Sequence, residues 1–97
     1  MIKLKAREYQ RFEDIKHIRN DGSEFWSARE LAPALEYNKW ENFHKVIKRA
    51  MIACENSGHM IADDFPEVRK IVSAGATNKP VKDYELTRYA CYLIVQN

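Results

Sequence analysis

No apolar run in this chain approaches the ~20 residues that a bilayer span requires, and its first residues carry no apolar signal core. Neither a membrane anchor nor secretion is expected, and the protein reads as cytoplasmic. Cysteine is scarce: Cys54 and Cys91 lie far apart, and neither has a CxxC partner. Both read as reduced, buried, small apolar residues. His17, His44 and His59 are scattered, and no pair has the close helical spacing of a zinc helix. No cofactor or metal is expected. A net charge of +2 is too small to argue nucleic-acid binding by itself, and there is no internal repeat, linker or low-complexity segment.

What is present fits one small domain. A chain of 97 residues buries roughly two-thirds of its unfolded surface, enough for one modest core. Charge is patchy along it. Residues 1–20 carry Lys3, Lys5, Arg7, Arg11, Lys16 and Arg19 against Glu8, Glu13 and Asp14. Residues 38–50 carry Lys39, Lys45, Lys48 and Arg49 against Glu41 alone, whereas residues 21–37 are acidic.

Residues 1–11 read as a basic arm or frayed helix. Alternation around His17 and Ile18, the turn residues Asn20-Asp21-Gly22 and the resumption at Phe25-Trp26 predict a short hairpin. A helix over residues 9–18 is the alternative, since Phe12, Ile15 and Ile18 also fit helical spacing. Ser27 and Glu30 have the spacing of a capping box, and Trp26 with Leu31 can form a hydrophobic staple. A helix over residues 28–36 follows, with Pro33 past its first turn predicting a short, bent helix. A second helix is predicted over residues 39–55, burying Trp40, Phe43, Ile47, Ala50, Met51 and Cys54 and stopping at Gly58. Asp63-Asp64-Phe65-Pro66 reads as a turn or single helical turn. Residues 68–73 and 81–86 predict a second hairpin, with a helix over residues 66–72 as its rival. Thr87 can cap a last helix whose apolar stripe is Tyr89, Ala90, Leu93 and Ile94.

Four segments together resemble one family: Phe12-Glu13-Asp14-Ile15-Lys16, Trp26-Ser27-Ala28-Arg29-Glu30-Leu31, Ala53-Cys54-Glu55-Asn56-Ser57-Gly58-His59 and Leu86-Thr87-Arg88-Tyr89-Ala90-Cys91-Tyr92-Leu93. They are similar to the N-terminal region of the bacterial DNA-damage-inducible D proteins, which is itself similar to the Bro-N domain of phage antirepressors and baculovirus repeat proteins. The resemblance runs over residues 12–97. It implies an α+β fold, with small β-hairpins packed against three to four short helices, and DNA-binding character. It also implies a longer parent protein with a C-terminal region absent here, and expression tied to the SOS response. Pro33 departs from the usual helix former, and the resemblance supplies no catalytic residue.

A DNA reader needs cations for phosphates and polar groups for base edges. The candidates are Arg29, Lys39, Asn42, Lys45, Lys48 and Arg49. Lys45, Lys48 and Arg49 fall within about one helical turn, and Asn42 can address an adenine edge. The alternative is the solvated face of an amphipathic helix. Trp40 could stack on a base, but its spacing with Phe43 and Ile47 favours the core. Asp63, Asp64 and Glu67 suit a solvated helix start better than a cation site. Arg88 could bind phosphate or an internal carboxylate such as Asp83 or Glu85, with the internal pair favoured. Cys54 or Cys91 as a nucleophile would need a histidine base that no spacing supports. The expected function is therefore a non-catalytic DNA-binding module. The alternative is a module contacting a DNA-repair or recombination protein, with self-association also open. An enzyme has no assembled motif behind it.

Overall fold

The computed structural model describes residues 6–96. The order is α1 (Ala6–Asp14), β1 (His17–Ile18), β2 (Glu24–Ser27), α2 (Ala28–Ala34), α3 (Trp40–Asn56), α4 (Ile61–Asp64), β3 (Glu67–Ala74), β4 (Thr77–Leu86) and α5 (Arg88–Gln96). The strands form one antiparallel sheet of order β1-β2-β4-β3. The architecture is α+β, as expected, with five helices because the single turn α4 and the N-terminal α1 add to the rest. Of the segment read as an arm, residues 1–5 lie outside the described residues and residues 6–11 belong to α1.

Both hairpins form. In the first, Arg19 and Ser23 close the turn through a 2.8 Å backbone hydrogen bond, and Gly22 sits at φ 90°. The helix over residues 9–18 forms only as far as Asp14, the end of α1, after which the chain pairs His17 with Phe25. The helix over residues 66–72 is displaced by β3 pairing along its length with β4.

Pro80 sits within β4 without disrupting it. The Glu85 amide donates to the Pro66 carbonyl at the β3 side, whereas the Lys82 carbonyl accepts from Arg29 on the other side. Backbone groups alternate sides along a strand, so Pro80 lacks its donor only on the edge facing away from β3. Strand β2 has already ended there, and proline is tolerated on such an edge.

One face of the sheet builds the core. Trp26, fully buried, stacks on Phe12 at 4.4 Å and donates from its indole nitrogen to the Phe12 carbonyl at 2.8 Å. This pair docks α1. Leu31, Phe43, Ile47, Cys54, Leu86 and Cys91 complete the centre, and each fully buried large apolar side chain stabilises by about 1.5–3 kcal/mol. Phe43, Val46, Ile47, Ala50 and Cys54 are the buried face of α3, while Trp40 and Met51 are only partly covered. Both cysteines are free and buried. Among the described residues no helix is long and apolar enough to cross a membrane.

Two helix stops share one chemistry. At the end of α3 the Gly58 amide reaches Glu55 O at 3.0 Å and the His59 amide reaches Cys54 O at 3.2 Å, with Gly58 at φ 84°. This is a Schellman arrangement. α2 repeats it with Glu36, at φ 65°, in the left-handed position. There the Glu36 amide reaches Pro33 O at 3.0 Å and the Tyr37 amide reaches Ala32 O at 2.9 Å.

The capping box at Ser27 is not made. Ser27 occupies the N-cap position but makes no side-chain cap bond. Its hydroxyl donates instead to Asp83 Oδ2 at 2.5 Å, and Asp83 Oδ1 accepts from the Arg29 amide at 3.0 Å. A buried carboxylate is a stronger acceptor than a hydroxyl, so β4 caps α2 from a distance. Glu30, freed from the box, pairs with His17 at 2.6 Å. Thr87 does cap α5, accepting from the Ala90 amide at 3.1 Å while donating to Asp64 at 2.6 Å.

Candidate nucleic-acid interface

The arrangement starts at the first turn of α3. The Arg29 guanidinium lies 4.1 Å over the Trp40 ring, and its Nε donates to the Lys82 carbonyl at 2.8 Å. A cation against an indole face is held electrostatically as well as by packing. Its two terminal nitrogens have no partner among the described residues, so the fork of the guanidinium faces outward. A cleft of about 230 Å³ opens beside it, lined by Arg29, Pro33, Tyr37, Asn38 and Trp40.

One turn along α3, His44 stacks on Trp40 at 5.5 Å and shares a 2.9 Å hydrogen bond with the hydroxyl of buried Tyr84. Burial pushes the Tyr84 hydroxyl above its ordinary pKa, so it stays protonated. His44 is shifted below its ordinary value, first by desolvation and then by the charges of Lys82, Lys48 and Arg29, with Glu67 acting the other way. Three cations from β4, α3 and α2 thus bear on one imidazole. Trp40, occupied by Arg29 and His44, is a packing residue.

The remaining candidates follow from the helix wheel. Successive residues advance by about 100°, which puts Lys48 on the flank beside His44, Lys45 facing outward, and Arg49 with Asn42 on the far flank. Lys39, Asn42, Lys45, Lys48 and Arg49 are all exposed. None of the four cations among them pairs with a carboxylate of another described residue. Several cations elsewhere are neutralised. Lys16 meets Glu13 at 3.3 Å, Arg19 meets Glu85 at 2.8 Å and Lys70 meets Asp83 at 3.7 Å. Arg88 does pair internally, but with Glu24 and Glu13 rather than Asp83 or Glu85. The structure therefore joins Arg29 and Lys48 around His44, sets Lys45 and Arg49 outward on the same helix, and separates Arg19 from them.

Sequence reasoning missed Lys82. Its signal was strand alternation, because Lys82 and Tyr84 share a face of β4. Lys82 also meets Glu67 at 3.7 Å, which partly offsets its charge.

The BRO family N-terminal domain model matches residues 14–97. The chain belongs to that family. It is also 50% identical over 90 residues to DNA damage-inducible protein D of Escherichia coli (strain K12), covering 92% of this chain. The chain spans 33% of that relative's length. No solved structure matches it. The family match takes in the whole sheet and α2 to α5 and begins at the last residue of α1.

Proposed function

We propose that this domain is a non-catalytic DNA-binding module of a protein induced by DNA damage as part of the SOS response. The observation that carries the reading is that Lys45, Lys48 and Arg49, on the exposed face of α3 beside the Arg29 fork, have no carboxylate partner among the described residues. Phosphate oxygens need such cations, and a cation already held by a carboxylate gives little to them. Lys39 extends the surface at the start of α3, and Asn42 stands on its flank as the polar group able to meet a base edge. The name of the relative supplies the damage link.

One observation favours a second reading. Ile52, 59% exposed, sits among the outward cations of α3, and an apolar residue there suits contact with a repair or recombination protein, or with a second copy. Titration of labelled single- and double-stranded DNA at low salt separates the two. Binding that weakens steeply with salt supports the DNA reading; a folded protein that binds neither form at low salt overturns it.

A further inference from the structure

Beyond the α3 surface, the distal half of the β3–β4 hairpin stands clear of the body. Every described side chain in residues 71–80 is exposed, although the two strands stay paired to the Ala74–Thr77 rung. Gly75, at φ 66°, turns the tip. We propose that this ribbon is a second DNA-contacting element, entering the major groove while the α3 cations hold flanking phosphates. The proposal rests on the DNA-binding reading above and adds to it the element that enters the groove.

Dimensions, charge and continuity support it. Four residues per strand project by about 13 Å at ~3.3 Å each, enough to reach the floor of a major groove about 8.5 Å deep. Two strands about 4.8 Å apart, with their side chains, fit its ~12 Å width and not the ~6 Å minor groove. Residues 68–82 include Arg69, Lys70, Lys79 and Lys82 and no acidic residue. Lys70 and Lys82 have carboxylate partners at the ribbon base, whereas Arg69 and Lys79 have none among the described residues.

Cross-strand partners share a sheet face. The register therefore places Arg69 with Lys82, Ile71 with Pro80 and Ser73 with Asn78 on the face of Tyr84, which is the face toward α3. The ribbon surface thus runs toward the Lys82, His44 and Lys48 cluster, with the Glu67 carboxylate beside Lys82 on the same face. Ser73 and Asn78, 3.3 Å apart near the tip, are polar groups suited to base edges, and Ile71 can meet a thymine methyl. Exposed Ile71 and Val72 alone would suit a protein partner, but a ribbon with Arg69 on the α3 face, Lys79 on the opposite face and no acid between them favours a polyanion.

The test measures anisotropy of a labelled duplex of about 20 base pairs across a salt series. The samples are the unaltered chain, the double variant Arg69→Ala/Lys79→Ala and the triple variant Lys45→Ala/Lys48→Ala/Arg49→Ala, each checked for folding by circular dichroism. Losing two phosphate contacts should lower the salt slope by about 1.8, so that between about 50 and 200 mM salt the unaltered chain loses about 12-fold more affinity than the double variant. Methyl green, a major-groove ligand, should compete, and the minor-groove ligand netropsin should not. A double variant with the unaltered slope, when the triple variant loses its own, overturns the ribbon proposal and leaves the DNA reading standing. If no protein binds, both fall. A double variant that changes the oligomeric mass in light scattering but not DNA affinity identifies a protein-contacting ribbon, and the proposal fails.

Discussion

Replacing Asp83 should cost this domain a large part of its stability. Asp83 is 2% exposed and holds three donors: the Ser27 hydroxyl at 2.5 Å, the Arg29 amide at 3.0 Å and its neighbour's Tyr84 amide at 2.8 Å. Asp83→Ala leaves all three without their acceptor. Each stranded buried donor costs about 1–3 kcal/mol, and bonds to a charged acceptor lie toward the upper end. The losses overlap because one carboxylate serves all three, so about 3–5 kcal/mol is expected. A domain of this size holds only about 5–15 kcal/mol. At about 4–8 °C per kcal/mol, Tm should fall by roughly 12–40 °C. Asp83→Asn keeps one acceptor oxygen for the amides and turns its NH2 to the Ser27 oxygen, which leaves a cost of about 1–2 kcal/mol. Ser27→Ala removes the bond to Asp83 and a longer, 3.4 Å one from Lys70, about 1–2 kcal/mol together. Urea unfolding followed by tryptophan fluorescence and far-ultraviolet circular dichroism gives all three. If Ser27→Ala costs as much as Asp83→Ala, Ser27 itself is the effective cap of α2 and the long-range cap is wrong.

Three further outcomes are expected. Glu36→Gly should raise stability by about 1 kcal/mol in the same urea assay, since a residue with a Cβ is strained in the left-handed conformation it holds; no gain would show that the turn carries no strain. His44 contributes stability in full above its ordinary value of 6.5, and that contribution is lost as pH falls through its depressed folded value, because only the unfolded chain then takes up the proton. Nearby phosphates reverse the local field, so DNA affinity should rise as pH falls through that same range, and His44→Gln should flatten the profile in anisotropy. Arg88→Met should cost about 1–2 kcal/mol, given a two-pronged contact to Glu24 that is about a third exposed. Hydrogen bonds from Arg88 hold Glu24 and Glu13 below their ordinary 4.5, so this contribution is present above that pH and disappears as pH falls through the lowered values. Urea midpoints across that range should converge for the two proteins.

Local signals in the sequence were read well where the partner is close along the chain. Asn20-Asp21-Gly22 marked the first hairpin, Gly58 marked the end of α3, and Thr87 capped α5 with the amide three residues on. The spacing of Phe43, Ile47, Ala50 and Cys54 gave the buried side of α3 and, by subtraction, its outward cations. Partners far along the chain were not legible. Ser27-x-x-Glu30 is a sound local pattern, but Asp83, 56 residues away, is the better acceptor and takes the hydroxyl. Arg88 found Glu24, 64 residues away, for the same reason. The bounds of α1 fell between the two helical readings of this region, because Phe12 is its only described residue in the core to anchor a periodic pattern. Lys82 joined the candidate surface only because its β4 neighbour Tyr84 reaches His44 of α3, a matter of topology rather than spacing.

The most direct measurement is the salt dependence of duplex binding by the Lys45→Ala/Lys48→Ala/Arg49→Ala variant against the unaltered chain. If these cations hold three phosphates, the slope of log affinity against log salt should fall by about 2.7, which is about 40-fold between about 50 and 200 mM. A variant that stays folded and keeps the unaltered slope would show that DNA does not meet this helix.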